Sequence, residues 1–361
     1  MTSYRRRGST LLAAWLAVIC AAPASQTGLS ARATPCEFDK AERIVAVGDV
    51  HGAYDRFQEI LRAAGVIDER LRWTGGKTHL VQTGDILDRG ADSRQALEFL
   101  RRLGRDAERA GGRVHALIGN HEAMRLLGNY RYVVPGEYEA FTTPESKDTR
   151  KFIIEKSPPE EREKLEEQTP LGMIEMIRAF GADQDLGTYV RSLNAVVKIN
   201  GILFLHGGIS PTVAAMSCGE INDTVRRELG RDLEKTKKAP LASLTAREDG
   251  PLWYRGLANE PETFAPQVKQ ILDTQRARAI VVGHSAYPGP IRSRFDKTVF
   301  LIDTGMQPSY VPTGRASALE IRGEVFTAIY TDSKQIIKTP GVVLPVAKER
   351  LPESFYDGAI R

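Results

Sequence analysis

The chain has 361 residues, 42% of them apolar and 27% charged, with Lys+Arg 50 against Asp+Glu 46 for a net charge of +4. That length suits one large domain or two ordinary ones, and the composition excludes a disordered, collagen-like or membrane-filling chain. Three cysteines and no Cys-x-x-Cys exclude a disulfide scaffold and a zinc ribbon. No basic stripe appears, so nucleic acid is not the expected partner.

Residues 1–24 read as an export signal. Arg5, Arg6 and Arg7 give a positive start, Leu11 to Ala22 is a 12-residue apolar run, and Ala22-Pro23-Ala24 is a small-x-small cleavage site before Ser25. The run is well short of the ~20 residues that cross a bilayer, so no stable span is expected in the mature chain. No Phe-Leu-Lys follows the arginines, which favours general secretion over the twin-arginine route. The expected location is periplasmic or secreted. Removing residues 1–24 leaves 47 basic residues against 46 acidic ones, a nearly neutral protein. Cys36 and Cys218 remain. They could pair in an oxidising compartment, but the sequence does not supply the distance that decides it.

Residues 25–42 read as a weakly ordered lead-in. From Arg43 a rhythm begins. Ile44 to Val47 is a short apolar run ending at Gly48-Asp49, followed by a helical pattern with Tyr54, Phe57, Leu61 and Ala64 on one face. His79-Leu80-Val81 leads to Gly84-Asp85, and a second helical pattern follows with Leu97, Leu100 and Leu103. Val114 to Ile118 ends at Gly119-Asn120-His121. This βαβαβ order predicts an α/β fold with strands buried on both faces.

Residues 123–195 break the rhythm. The segment is tyrosine-rich near its start and carries a charged helix over 158–168 whose charges read as a solvated face. It is too long for a plain loop and is expected to be a helical insertion. Strand patterns resume with Val196 to Leu205 running into His206, Ala279 to Val282 into Gly283-His284, and Val299 to Ile302 into Asp303-Thr304-Gly305. Alternation over 317–322 and 325–331 predicts a closing hairpin around Arg322-Gly323. Residues 334–361 read as a tail, so the expected domain covers 43–333.

Five apolar runs end at metal-capable residues, usually beside glycine: Asp49 with His51, Asp85, Asn120 with His121, His206, and His284. In open α/β sheets ligands bind beyond the carboxyl ends of the strands, where glycine allows sharp turns and close approach. Each piece alone has an ordinary explanation, such as a tight turn, a helix cap or a buried histidine. Together they offer two carboxylates, three imidazoles and an amide oxygen, a donor set that suits first-row metals. Two ions about 3.5–4 Å apart need a bridging carboxylate, for which Asp85 is the choice, and could ready a hydroxide for in-line attack on phosphorus. His79 and His115 lie within strands and read as packing or buried hydrogen bonding.

The motifs Gly-Asp-x-His-Gly (48–52), Gly-Asp-x-x-Asp-Arg-Gly (84–90), Gly-Asn-His-Glu (119–122), His-Gly-Gly (206–208) and Gly-His (283–284) resemble the phosphoprotein phosphatase signature of the calcineurin-like metallophosphoesterases. Trp253-Tyr254-Arg255-Gly256, Asp303-Thr304-Gly305 and the tyrosine-rich insertion are similar to the Shewanella-like protein phosphatase subgroup. The Ser-Ala-Pro-Asn-Tyr-Cys stretch of the main eukaryotic Ser/Thr phosphatases is absent. The resemblance implies two packed mixed sheets flanked by helices. It implies one metal held by Asp49, His51 and Asp85, and a second held by Asp85, Asn120, His206 and His284, each ion being Mn, Fe or Zn. His121 would protonate the leaving oxygen, oriented by Asp88, while Arg89 and Arg255 grip the phosphate.

The expected substrate is a phosphorylated protein or small phosphomonoester, with phosphotyrosine preferred in the subgroup. A nucleotide or dinucleotide polyphosphate hydrolase using the same site is the alternative. A secreted binding protein with a dead site is a third reading, opposed by the intact ligand set and the Asp88/His121 pair. Gly283-His284-Ser285-Ala286 lacks the second histidine that phosphodiesterase relatives commonly carry.

Overall fold

The structure, a computed structural model, describes residues 35–338. The signal-like segment 1–24 and the tail from 339 onward lie outside the described residues. Two six-stranded mixed sheets form the centre. One runs in the order β12 (Lys334–Lys338), β11 (Val325–Tyr330), β10 (Ser317–Arg322), β2 (Ile44–Val47), β3 (His79–Gln82), β4 (Arg113–Ala116). The other runs β1 (Glu37–Phe38), β5 (Val196–Ile199), β6 (Ile202–Leu205), β7 (Ala279–Val282), β9 (Val299–Leu301), β8 (Arg292–Arg294).

The expected βαβαβ unit is present: β2, β3 and β4 are parallel, with Val45 opposite Leu80 and Leu80 opposite Val114. Successive side chains of a strand point to opposite faces. Ile44 and Ala46 of β2 therefore join Phe204, Val281 and Phe300 between the sheets, while Val45 and Val47 turn outward to meet Phe57 and Leu61 of helix α1 (Tyr54–Ala63). Phe300 and Phe326 stack across the inter-sheet layer with ring centroids 4.4 Å apart. Helix α2 (Ser93–Arg109) buries Leu97, Leu100 and Leu103 on one stripe. The segment 123–195 is built of helices, beginning with the end of α3 (Asn120–Leu127) and α4 (Pro135–Glu139). Among the described residues no helix is long and apolar enough to cross a membrane.

Three elements differ from the sequence reading. The run Val196 to Leu205 is not one strand but the β5–β6 hairpin, turning at Asn200 (φ 50°) and Gly201 (φ 73°). Asn-Gly with both residues at positive φ is the preferred two-residue hairpin turn, and that signal stood in the sequence. The lead-in supplies β1, which pairs with β5, and β12 occupies the start of the segment read as tail. Cys36 and Cys218 form a disulfide with Cα atoms 6.2 Å apart, tying the β1 edge to helix Cys218–Leu229.

Candidate metal centre and active site

Parallel strands aim their carboxyl ends the same way, and here both sheets aim them at one rim. Asp49 and His51 follow β2, Asp85, Asp88 and Arg89 follow β3, and Asn120 and His121 open α3 after β4. His206 follows β6 directly, and His284 follows β7 after one glycine. The backbone is contorted there. His51, Asp85, Asp88, Arg89 and His284 all have positive φ, between 49° and 68°. Such conformations are unfavourable for residues with a Cβ and gather where surrounding contacts impose them for function. Glu122 imposes much of this one: its carboxylate accepts N–H bonds from Gly119 (2.8 Å), Asp85 (2.8 Å), Ile86 (2.8 Å) and Leu87 (3.1 Å). Side chains also press on backbone. A Cβ at Gly119 would collide with the Asp85 carboxylate, and one at Gly283 with that of Asp49.

Asp85 sits at the middle. Its Oδ1 accepts the His121 N–H at 2.9 Å. Its Oδ2 faces three imidazoles: His206 Nε2 at 3.2 Å, His51 Nε2 at 3.7 Å and His121 Nε2 at 3.8 Å. Two groups of potential metal ligands share it, His51–Asp85–His121 and Asp85–His206–His284, with the donor atoms of each group within 4.8 Å of one another. Asp49 flanks both: Oδ2 is 3.9 Å from His51 Nε2, and Oδ1 accepts the His284 N–H at 3.0 Å. Asn120 Oδ1 lies 2.8 Å from His206 Nε2. The outer ring nitrogens are fixed by carbonyls, His51 Nδ1 on Leu87 O (2.9 Å) and His206 Nδ1 on Thr83 O (3.0 Å), the outer-shell arrangement that orients metal-ligating histidines.

His121 is held differently. Its Nδ1 meets Asp88 Oδ2 at 2.6 Å, leaving Nε2 toward Asp85. Arg89 lies with its guanidinium between the rings of Tyr310 (3.6 Å to the centroid) and Tyr132 (4.5 Å). Arg255 donates to the His284 carbonyl at 2.9 Å and to Ser285 Oγ at 3.1 Å, which places it at the same rim.

Burial and neighbouring charge set the protonation states. Burial, then the His121 charge, pushes His51 down to about 3, and burial with Arg255 and His206 pushes His284 well below the ordinary imidazole range. Both rings are thus neutral, the form that binds metal. Burial alone would raise Asp85, but His206 and His121 overcome it and hold the carboxyl well below the ordinary range. Burial, with Asp303 and Asp85 close by, drives Asp49 well above it.

The chain matches the calcineurin-like phosphoesterase family over residues 42–288. It is 30% identical to Shewanella-like protein phosphatase 2 of Arabidopsis thaliana over 317 residues, 82% of this chain and 79% of that protein. An uncharacterized Schizosaccharomyces pombe protein is 34% identical over 286 residues, 77% of this chain and 76% of its own. Among solved structures, the cold-active protein-tyrosine phosphatase of a psychrophilic Shewanella species superposes with a TM-score of 0.68 at 28% identity, covering 84% of this chain and 82% of that one. The chain belongs to the calcineurin-like phosphoesterases, in their Shewanella-like protein phosphatase subgroup. It is a metal-dependent phosphatase, built on the two-sheet fold of these phosphoesterases.

The donors of this phosphatase fit metal ions. His284 Nε2 is buried with no hydrogen-bond partner and is turned into the shared ligand group. Asp303 stands beside Asp49 as a second buried carboxyl, so negative charge accumulates where a cation or a shared proton must answer it. All six expected ligands, Asp49, His51, Asp85, Asn120, His206 and His284, converge, with His121, Asp88, Arg89 and Arg255 around them. The sequence reading did not single out Glu122 as the rim's anchor, Tyr132 and Tyr310 as walls of Arg89, or Arg125 and Glu137 behind Asp88. For Arg125 a signal existed: it lies one helical turn after His121, on the same face.

Proposed function

We propose that this phosphatase removes phosphate from phosphoproteins, with phosphotyrosine its preferred residue, through a centre of two metal ions bridged by Asp85. Asp49, His51 and Asp85 would hold one ion, and Asp85, Asn120, His206 and His284 the other. The observation that carries the reading is the membership of Asp85 in both ligand groups, with Arg89 and His121 beside it. The donor set admits Mn, Fe or Zn.

When bound, such ions activate water at neutral pH and offset the charge of a phosphate. The chain's own residues do the rest. Arg89, its plane set by two tyrosine faces, presents a fork to two phosphate oxygens. Arg255 approaches from the His284 loop. His121 offers a proton from Nε2 to the departing oxygen, and Asp88 fixes the tautomer by holding Nδ1. Tyr132 and Tyr310 put aromatic rings beside His121 and His51, and the protein-tyrosine phosphatase of similar structure adds weight to an aryl substrate. His121 is equally near Asp85 as a ligand would be. Its tie to Asp88, with Asp49 available as an oxygen donor beside His51, favours the acid role.

We also propose export to the periplasm or beyond. The support is the basic start, apolar run and cleavage site of residues 1–24, together with a disulfide, which persists in oxidising compartments.

The test is a panel of metal-loaded rates on phosphotyrosine, phosphoserine and phosphothreonine peptides, a symmetrical dinucleotide polyphosphate and an aryl phosphodiester. The proposal expects phosphotyrosine to be turned over fastest and the diester slowest. A dinucleotide rate above every peptide rate would replace it with the nucleotide reading.

A further inference from the structure

Behind His121 lies a run of buried charges that reaches from the rim into the helical insertion. His121 Nδ1 meets Asp88 Oδ2, and Asp88 Oδ1 accepts from Arg125 Nη2 at 2.7 Å. The same Nη2 donates to Glu137 Oε1 at 2.6 Å. The side chains of Arg125 and Glu137 are 0% exposed, and that of Asp88 1%. The guanidinium is capped by the Phe180 ring, 5.0 Å from its centroid.

A buried ion set of this kind is weak evidence for stability, because desolvation offsets the attraction. What it does supply here is position. His121 and Arg125 are four residues apart on α3 and so share a face, bracketing Asp88 from two sides. Asp88 sits at positive φ (68°), a conformation its own backbone would not choose. One nitrogen of Arg125 ties it to α4, in the helical segment that breaks the βαβ rhythm. Donors and acceptors alternate along the row: the imidazole Nδ1, the Asp88 carboxylate, the guanidinium and the Glu137 carboxylate. Were Glu137 uncharged, Arg125 would turn wholly to Asp88 and compete with the imidazole for it. Were Arg125 absent, Asp88 and Glu137 would repel each other.

We infer that Arg125 and Glu137 are positioning residues for proton donation: they hold the Asp88 carboxylate in the orientation that keeps His121 Nε2 aimed at the leaving oxygen. The insertion thereby contributes a part to the chemistry, through Glu137. This rests on the reading of His121 as the acid.

The experiment compares Glu137→Gln, Arg125→Met and Arg125→Lys with the parent on two substrates, 2,4-dinitrophenyl phosphate, whose leaving group needs no proton, and an alkyl phosphate, whose leaving group does. Metal content and the inhibition constant of inorganic phosphate are measured in parallel. The expected result is a loss of about tenfold or more on the alkyl ester, less than about threefold on the dinitrophenyl ester, unchanged metal content and phosphate inhibition, and partial rescue in Arg125→Lys relative to Arg125→Met. Glu137→Gln keeps shape and an acceptor, so it remains informative if Arg125→Met does not fold. Equal losses on both esters, or none, overturn the inference. His121→Asn is the control for the underlying reading. If it shows the leaving-group dependence and Glu137→Gln does not, the positioning role alone fails; if it lacks the dependence, the acid role fails and the inference with it.

Discussion

His121 and Asp88 are joined ring to carboxylate at 2.6 Å, which leaves a single imidazole nitrogen facing the centre. A nitrogen so placed can deliver a proton without surrendering its orientation.

Substituting His121→Asn therefore removes a proton donor and leaves the metal-ligand atoms in place. Rates on poor leaving groups should fall roughly 100-fold or more, and rates on good ones far less. Metal content, measured by elemental analysis, should match the parent. An emptied site would make His121 a ligand instead.

Arg89 owes its plane to the faces of Tyr132 and Tyr310. Lysine keeps the charge but loses both the fork and the stacking. Arg89→Lys should lower kcat/KM by roughly 10- to 100-fold, an effect comparable to losing a bidentate charged contact. Tyr310→Leu should produce a smaller loss, seen mainly as weaker inhibition by inorganic phosphate. Parent-like constants in both variants would remove Arg89 from the phosphate site.

Away from the rim, His115 Nε2 and His79 Nδ1 lie 3.1 Å apart on neighbouring strands, edge-on to Phe38. Burial, then the charges of His79 and Arg113, pushes His115 down to about 3, and burial lowers His79. The unfolded chain, with histidines near 6.5, takes up protons that the folded chain refuses. The contribution of the more buried His115 is present above pH 6.5 and is lost as pH falls toward 3, by about 1–2 kcal/mol between pH 7 and pH 5. His115→Phe should flatten that acid limb in urea melts run at fixed metal concentration. A variant whose midpoint falls with pH as steeply as the parent's contradicts the assignment.

Much of the rim was legible because each strand end carries an unusual local mark, a glycine beside a ligand type, and parallel strands align those marks in space. Short edges were not. Glu37–Phe38 is too brief for any period to show, and the Asn200-Gly201 turn, though marked, joins two four-residue strands short enough to read as one. Lys334–Lys338 alternates too weakly to separate from a tail. Glu137 left no such mark, since a charge on a helix predicts a solvated face and its burial depends on partners elsewhere in the fold. The same holds for Tyr310, which reaches Arg89 only through the fold.

Asp85 is the carboxylate common to both ligand groups, and the whole centre depends on it. Asp85→Asn keeps the size of the side chain but removes its negative charge and one of its two oxygen donors. Metal stoichiometry of the purified variant, read beside its rate on an aryl monoester, is the direct measurement. Metal and rate should fall together, with neither restored by metal at the concentration that saturates the parent. A variant that retains the parent's full metal complement and its rate would contradict this.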